Sequence, residues 1–410
     1  MEKFIEVEEA RALILKDCRG RLAAEKVDIL SAAGRILAED VLADRDLPPL
    51  DNSAMDGYGV RVVDCAAAAA DKPVRLPVVD DIPAGSFRAA PLPEKSVVRI
   101  MTGAPVPAGV EAVIRREEVE ELGDEIVLKK PVPLGNDIRF AGEDVRAGET
   151  VLPAGTLITP AAVGMLAAVG MPFVAVVRRP RVAVLATGDE VVDFHEPLAP
   201  GRIRNSNSYS MAALVTQAGA LPQLFPVVRD RPEIIRQALL EAVAGNDLVI
   251  TSGGVSMGDY DFLQEVIGAL PEGEIVFWQV RMKPGKPLLY SRVGGKPVIG
   301  LPGNPVSTMV SFEQFVRPLI RKLAGAPDNN LLLPRFRARL EEDLPAAGGR
   351  RHYARGIVTR QADGRFRVRS TGAQGSGILN SMVAGNCLII QPPKTAFQAG
   401  DEVEIELLDY

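Results

Sequence analysis

The 410-residue sequence predicts a multidomain protein: a central α/β domain with a mostly parallel sheet, flanked by β-rich pieces. Three observations carry this prediction. Strand-like and helix-like segments alternate from Arg181 to about residue 324. On either side, short β-branched runs are separated by repeated Pro and Gly. The chain is also too long for one hydrophobic core, since single cores stop growing at roughly 250–300 residues.

Taken in order, the first 44 residues carry helical spacing in VEEARALILKDC and again in DILSAAGRILAEDVLA. Next come PVRLPVV, SVVRI, AVIRREEVE and EIVLKK, the strands of a small β-rich domain over residues 46–144. The alanine run at residues 66–70 reads as helix. Residues 160–177, PAAVGMLAAVGMPFVAVV, are uncharged over about the length of a membrane span. Gly170 and Pro172, with β-branched residues after them, instead read as a short helix followed by a buried strand. Residues 1–45 and 145–178 are expected to form one split, elongated domain into which the β-rich piece is inserted.

The α/β domain is expected at residues 179–326. RVAVLATG is a strand, NSYSMAALVTQAG a helix, ALPQLFPVV a strand and RPEIIRQALLEAVAG a helix. DLVITSGG, DFLQEVIGAL, EIVFWQV, PLLYSRV and PVIGLPG continue the series up to the helix PVSTMVSFEQFVRPLIRKLAG. Residues 327–410 return to short strands (RFRARLEED, RHYARGIVTR, GRFRVRS, NCLIIQP, DEVEIELLD), the pattern of a C-terminal β-barrel.

Composition narrows the chemistry. A net charge of −6 argues against a broad nucleic-acid surface. Three distant cysteines without a CxxC fit a reducing compartment, and MEKFIEVEEA lacks the apolar core of a signal peptide, so a cytoplasmic protein is expected. Only two histidines, His195 and His352, are present, and neither sits in a recognisable motif. Carboxylates, Lys, Arg and hydroxyls must carry the chemistry.

Three strand ends supply candidates. RVAVLATGDE leads into Thr187, Gly188, Asp189 and Glu190. DLVITSGGVSMGDYD leads into Ser252, Gly253, Gly254, Ser256 and Asp261. PVIGLPGNPVS places Pro302, Asn304 and Pro305 where a strand gives way to a helix. Glycine after a strand is most often only a turn. Three such loops on the carboxyl edge of one parallel sheet make a ligand site. Free amide groups there bind anions, whereas the aspartates of the second loop would repel a phosphate without a cation between them. RMKPGKP adds Lys283 and Lys286, an ammonium pair suited to oxyanions. A second set lies in the β-rich region: Asp56 in PPLDNSAMDGYGV, Thr102 in IMTGAPVP, and Arg139 and Asp144 in NDIRFAGEDV. The tail offers Arg355 in RRHYARG and Ser376 in TGAQGSGIL, which on their own read as barrel surface. No GxGxxG turn and no Walker A motif occurs, so dinucleotide and P-loop readings fail.

DNSAMDGY, MTGAPVP, GED, TGDE, TSGGVS, KPGKP, LPGNP and QGS occur here in the order seen in one family. The chain resembles, over essentially its whole length, the molybdopterin molybdenumtransferases: the bacterial MoeA proteins and the E domain of gephyrin-like proteins. The resemblance implies four domains and a homodimer with clefts built from both subunits. It also implies Mg²⁺-dependent insertion of molybdate into adenylylated molybdopterin with release of AMP. Molybdopterin adenylyltransferase and apo-molybdoenzymes would be partners, with no role for nucleic acid or membrane. It assigns catalytic roles to Asp56, Thr102, Asp144, Glu190, Asp230 (in VVRDRP) and Asp261, with Glu190 and Asp261 on the metal. Arg139, Thr187, Gly188, Ser252, Gly253, Gly254, Ser256, Lys283, Lys286, Pro302, Asn304, Pro305, Arg355 and Ser376 would bind substrate. The sequence departs from the family at Phe140 and Ala141, where basic residues often follow the arginine. It departs again at Gln279, where Lys or Arg is common, and at Asn205, where Asp occurs. A tungstate-specific enzyme is one alternative; a non-catalytic carrier or scaffold is another, and the latter would typically carry an extra domain or disordered linker.

Overall fold

The computed structural model describes residues 2–18, 20–255 and 262–408. The chain divides into two compact units: Met1–Lys26, Gly34–Ala38 and Ala175–Tyr410 in one, Val27–Ala33 and Glu39–Val174 in the other.

The first unit is built on a seven-stranded sheet. Its order is Glu2–Ile5, Gly273–Val280, Leu289–Val293, Lys296–Leu301, Leu248–Ser252, Arg181–Ala186 and Leu221–Leu224. The last four strands run parallel to one another, and Leu289–Val293 is antiparallel to both of its neighbours. Sequence and packing agree closely in the central strands. In RVAVLA, Val182 and Val184 join one hydrophobic cluster while Ala183 and Leu185 join another. Both faces are therefore covered, which is why these strands are continuously apolar. The helices Val7–Lys16, Ser206–Gln217 and Pro305–Ser311 cover one face; Pro232–Gly245 and Leu263–Ala269 cover the other.

A closed five-stranded barrel completes this unit: Arg351–Arg360, Phe366–Ser370, Arg335–Leu340, Glu402–Leu407 and Cys387–Gln391, the last pairing back onto the first. Ala354, Val358, Ile389 and Ile405 fill its interior. The short strand Met282–Lys283 pairs in parallel with Arg351 and His352, which ties the lysine loop to the barrel.

The second unit carries a six-stranded sheet in the order Ala112–Arg115, Gly57–Val60, Val97–Ile100, Val74–Ile82, Glu125–Leu128 and Glu120–Leu122. Tyr58, Val60, Ile114, Ile126 and Leu128 form its core.

Two expectations are corrected, at the second helix and at the alanine run read from the sequence. Residues 1–26 lie in the first unit. There Glu2–Ile5 joins the sheet and the adjoining helix buries Val7, Ala10 and Ile14. DILSAAGRILAEDVLA is not helical. Asp28 Oδ1 accepts from the amides of Leu30 and Ser31, closing a turn, and Gly34 adopts φ 76°. Ile36 and Ala38 then pack against Val177 from extended backbone. The alanine run also fails to form a helix. Val62–Cys65 stops at Ala66, and Ala69 and Lys72 exchange backbone hydrogen bonds just before Pro73, which disfavours helix at the preceding residue. The uncharged stretch at 160–177 does divide into the helix Pro160–Ala168, capped by Thr159, and the strand Phe173–Val177. No described helix is long and apolar enough to cross a membrane.

Candidate active site

The three strand-end loops of the first unit meet because their strands are neighbours: Lys296–Leu301 beside Leu248–Ser252 beside Arg181–Ala186, all parallel. Their carboxyl ends open into a cavity of about 730 Å³. Thr187, Gly188, Glu190, Asp230, Gly253, Gly254, Pro302 and Asn304 line it together with Asp189 and Pro287. Two glycines are required here. A Cβ on Gly253, at φ 93°, would lie 2.9 Å from the carbonyl oxygen of Thr187, so only glycine lets the loops approach. A Cβ on Gly188 would lie 2.8 Å from Glu190 Oε2, so glycine leaves room for that carboxylate to fold back. Thr187 Oγ1 is buried and has no hydrogen-bond partner among the described residues, leaving a polar group ready for a ligand.

A side chamber of about 210 Å³ shares the Thr187, Glu190 and Gly253 walls and adds Ser252 and Pro305. Asn207 stitches it: its Nδ2 donates to Ser252 Oγ at 2.6 Å and to the Gly303 carbonyl at 2.7 Å. Asn205 caps the helix behind it by accepting from the Ser208 amide at 3.1 Å. Thr308 Oγ1 donates to the Pro302 carbonyl at 2.6 Å and fixes the third loop.

The loop that carries Lys283 and Lys286 reaches this cavity at Pro287, which lines its wall, and the Val280 amide donates to the Lys286 carbonyl at 3.0 Å. From the barrel comes Arg355, which is fully buried. Its Nε donates to Ser381 Oγ and its Nη2 to the Gly375 carbonyl, at 3.0 and 3.1 Å, while Nη1 has no partner among the described residues. Burial pushes its pKa down to about 10. The next residue, Ser376, accepts from the Val306 amide at 3.1 Å, seating the tail loop on the helix that follows LPGNP.

In the second unit the motif stretches also run side by side. The Ser53 amide donates to the Ala104 carbonyl and the Gly103 amide to the Ser53 carbonyl, and Ile138–Arg139 pairs with Asn52–Ser53. The Asp144 amide donates to the Leu47 carbonyl, just upstream. Asp56 Oδ1 accepts from both the amide and the hydroxyl of Thr102 at 2.7 Å each. These hydrogen bonds, aided by the charges of Arg99 and Arg116, hold the Asp56 carboxyl below its usual range. Asp56, Thr102, Arg139 and Asp144 are all exposed.

Known proteins match this layout along the chain. Residues 5–170 match the MoeA N-terminal region (domain I and II), residues 183–322 a domain described as "Probable molybdopterin binding domain", and residues 337–408 the MoeA C-terminal region (domain IV). A molybdopterin molybdenumtransferase from a Nostoc species is 40% identical over 386 residues, spanning 92% of this chain and 87% of that one. The chain belongs to the molybdopterin molybdenumtransferase family. A relative of the same name from Haemophilus influenzae is 36% identical and covers 98% of each chain. The solved structure of the molybdopterin biosynthesis MoeA protein of Pyrococcus horikoshii superimposes with a TM-score of 0.85 at 32% identity, covering 98% of this chain and 100% of that one.

Within this molybdopterin molybdenumtransferase fold, the first unit gathers Thr187, Gly188, Glu190, Asp230, Ser252, Gly253, Gly254, Pro302, Asn304 and Pro305 around one cavity and its side chamber. Ser256 and Asp261 lie outside the described residues. Among the described residues no three metal-binding side chains converge to hold an ion unaided. Glu190 and Asp230 nevertheless fit Mg²⁺, which commonly takes one or two carboxylates and completes its shell with substrate phosphates and water. Asn207 was not legible as a site residue. Its signal is only positional, an Asn in the first turn of a helix that starts beside the strand ends.

Proposed function

We propose that this protein inserts molybdenum, supplied as molybdate, into adenylylated molybdopterin with release of AMP. Arg355 carries the reading. It is a fully buried guanidinium with no carboxylate partner among the described residues, held under the Ser376 loop, which is seated on the helix that follows LPGNP. A buried charge with a free donor calls for an anion. Molybdate is a dianion, and Lys283, Lys286 and Arg355 offset its charge. The Gly254 amide suits a phosphate of the pterin ligand, with Gly253, whose own amide donates to the Leu301 carbonyl, letting the loop approach it. Glu190 and Asp230, with Asp261, would hold Mg²⁺, which supplies charge neutralisation on the phosphate oxygens when bound.

In this reaction two dithiolene sulfurs bond to molybdenum, and one oxygen leaves as water with the two thiol protons. A second water splits the phosphoanhydride, releasing AMP, and molybdenum keeps its oxidation state. A homodimer, an adenylyltransferase upstream and apo-molybdoenzymes downstream belong to the same proposal. Equilibrium dialysis of molybdate tests it at the residue that carries it. Arg355→Met is expected to weaken molybdate binding at least tenfold, the scale of one charge-assisted hydrogen bond. Unaltered affinity would remove the oxyanion role.

A further inference from the structure

The lysine loop is braced by the first strand of the chain, at a point where both strands leave the β region. Glu2–Ile5 runs parallel to Gly273–Val280, with Lys3 opposite Trp278 and Ile5 opposite Val280. Phe4 and Gln279 lie between these two pairs, and both adopt left-handed backbone, φ 74° and 76°. Side chains with a Cβ rarely adopt this region, and such residues cluster at functional sites. Here two of them are adjacent.

The doubled kink leads directly into the lysine loop. The Arg281 amide donates to the Ile5 carbonyl at 2.8 Å, and Arg281 Nε donates to the Phe4 carbonyl at 3.1 Å. The Arg281 guanidinium lies 4.5 Å from the centre of the Phe4 ring, and the Lys286 ammonium lies 5.5 Å from the same ring. Arg281 also has Glu6 Oε1 at 3.3 Å. Lys286 has no ion-paired carboxylate among the described residues, so the ring is its side-chain partner there. The difference matters chemically. A carboxylate would hold an ammonium by neutralising it, whereas an aromatic face holds it and leaves its charge whole. A lysine meant for an anionic ligand needs the second kind of support.

We propose that Phe4 is a positioning residue for Lys286, its ring fixing the ammonium in place for the oxyanion substrate. The inference rests on the reading of Lys286 as an oxyanion ligand. It also gives the Phe4–Gln279 kink a purpose: the kink aims the ring at the loop.

The test is molybdate binding by equilibrium dialysis to the full chain, as wild type, Phe4→Leu, Phe4→Tyr, Lys286→Met and the Phe4→Leu, Lys286→Met double variant. Phe4→Leu is expected to weaken binding about 2- to 5-fold, the range of an exposed cation–π contact, and Phe4→Tyr to restore it. In the Lys286→Met background, Phe4→Leu adds no further loss. An equal loss in both backgrounds would overturn the inference, because Phe4 would then act independently of Lys286. So would a loss in Lys286→Met unaccompanied by one in Phe4→Leu. Unchanged affinity in Lys286→Met would instead overturn the oxyanion reading of that lysine, and this inference with it. Should Phe4→Leu fail to fold, pentafluorophenylalanine at position 4 keeps the ring's shape and reverses its quadrupole. The same weakening is expected from it, and unchanged binding contradicts the proposal.

Discussion

Asp247 and Asp56 illustrate how a carboxylate is held ionised by different means. Burial raises the pKa of Asp247, but the bidentate Arg178 pair at 2.6 and 2.7 Å and the Arg181 amide outweigh it, and the net direction is down. A carboxyl whose folded pKa is depressed contributes stability above its unfolded pKa and loses it as pH falls through the folded value. Asp247→Asn is therefore expected to lower stability at pH 7 and to flatten the acid side of the stability curve below about pH 4. Urea unfolding at several pH values reads this, and parallel curves for the two proteins would contradict it. Asp56 is exposed, and its pKa is held down chiefly by the two hydrogen bonds from Thr102. Thr102→Val removes one of its two hydrogen bonds and is expected to lower turnover, by up to tenfold, with little change in overall stability. Full activity in that variant would mean that Thr102 does not support Asp56.

Among the elements, the helix Ser206–Gln217 begins at the site and depends on its cap. Asn205→Ala removes the bond to the Ser208 amide and is expected to cost about 1 kcal/mol in denaturant titrations. Asn205→Asp retains a side-chain acceptor and is expected to keep the cap. Strands and helices of the α/β domain were legible because periodicity and burial coincide in them, as in RVAVLA and RPEIIRQALLEAVAG. The DILSAAGRILAEDVLA stretch misled because its apolar spacing is helical while Asp28 and Gly34 impose turns, and local turn chemistry prevailed over periodicity. The site was legible where it uses backbone: glycine loops at strand ends follow from topology. Asn207 and Phe4 were not, because their partners, Ser252 and Lys286, are 45 and 282 residues away and no local pattern announces them.

Across the first unit as a whole, a chain of polar groups, buried at Arg11, Gln314 and Glu406, joins the N-terminal helix, the helical turn Phe312–Val316 that continues Pro305–Ser311, and the barrel. Arg11 donates to the side chain of Gln314 at 2.7 Å, Gln314 donates to Glu406, and Arg335 donates to Glu406 at 2.9 Å. Gln314→Leu strips a partner from both Arg11 and Glu406 and is expected to destabilise this unit by about 3 kcal/mol, seen as a lower urea midpoint. Arg355 and Ser376 stand on the barrel while the glycine loops stand on the sheet, and the proposed reaction draws on both. The most direct test of that chemistry mixes the purified protein with adenylylated molybdopterin and Mg²⁺, with or without molybdate or tungstate. AMP release and the reconstitution of an apo-molybdoenzyme are then followed together. The account predicts AMP release that depends on molybdate and is accompanied by recovered molybdoenzyme activity. Tight binding of the adenylylated pterin without any oxyanion-dependent release would contradict it.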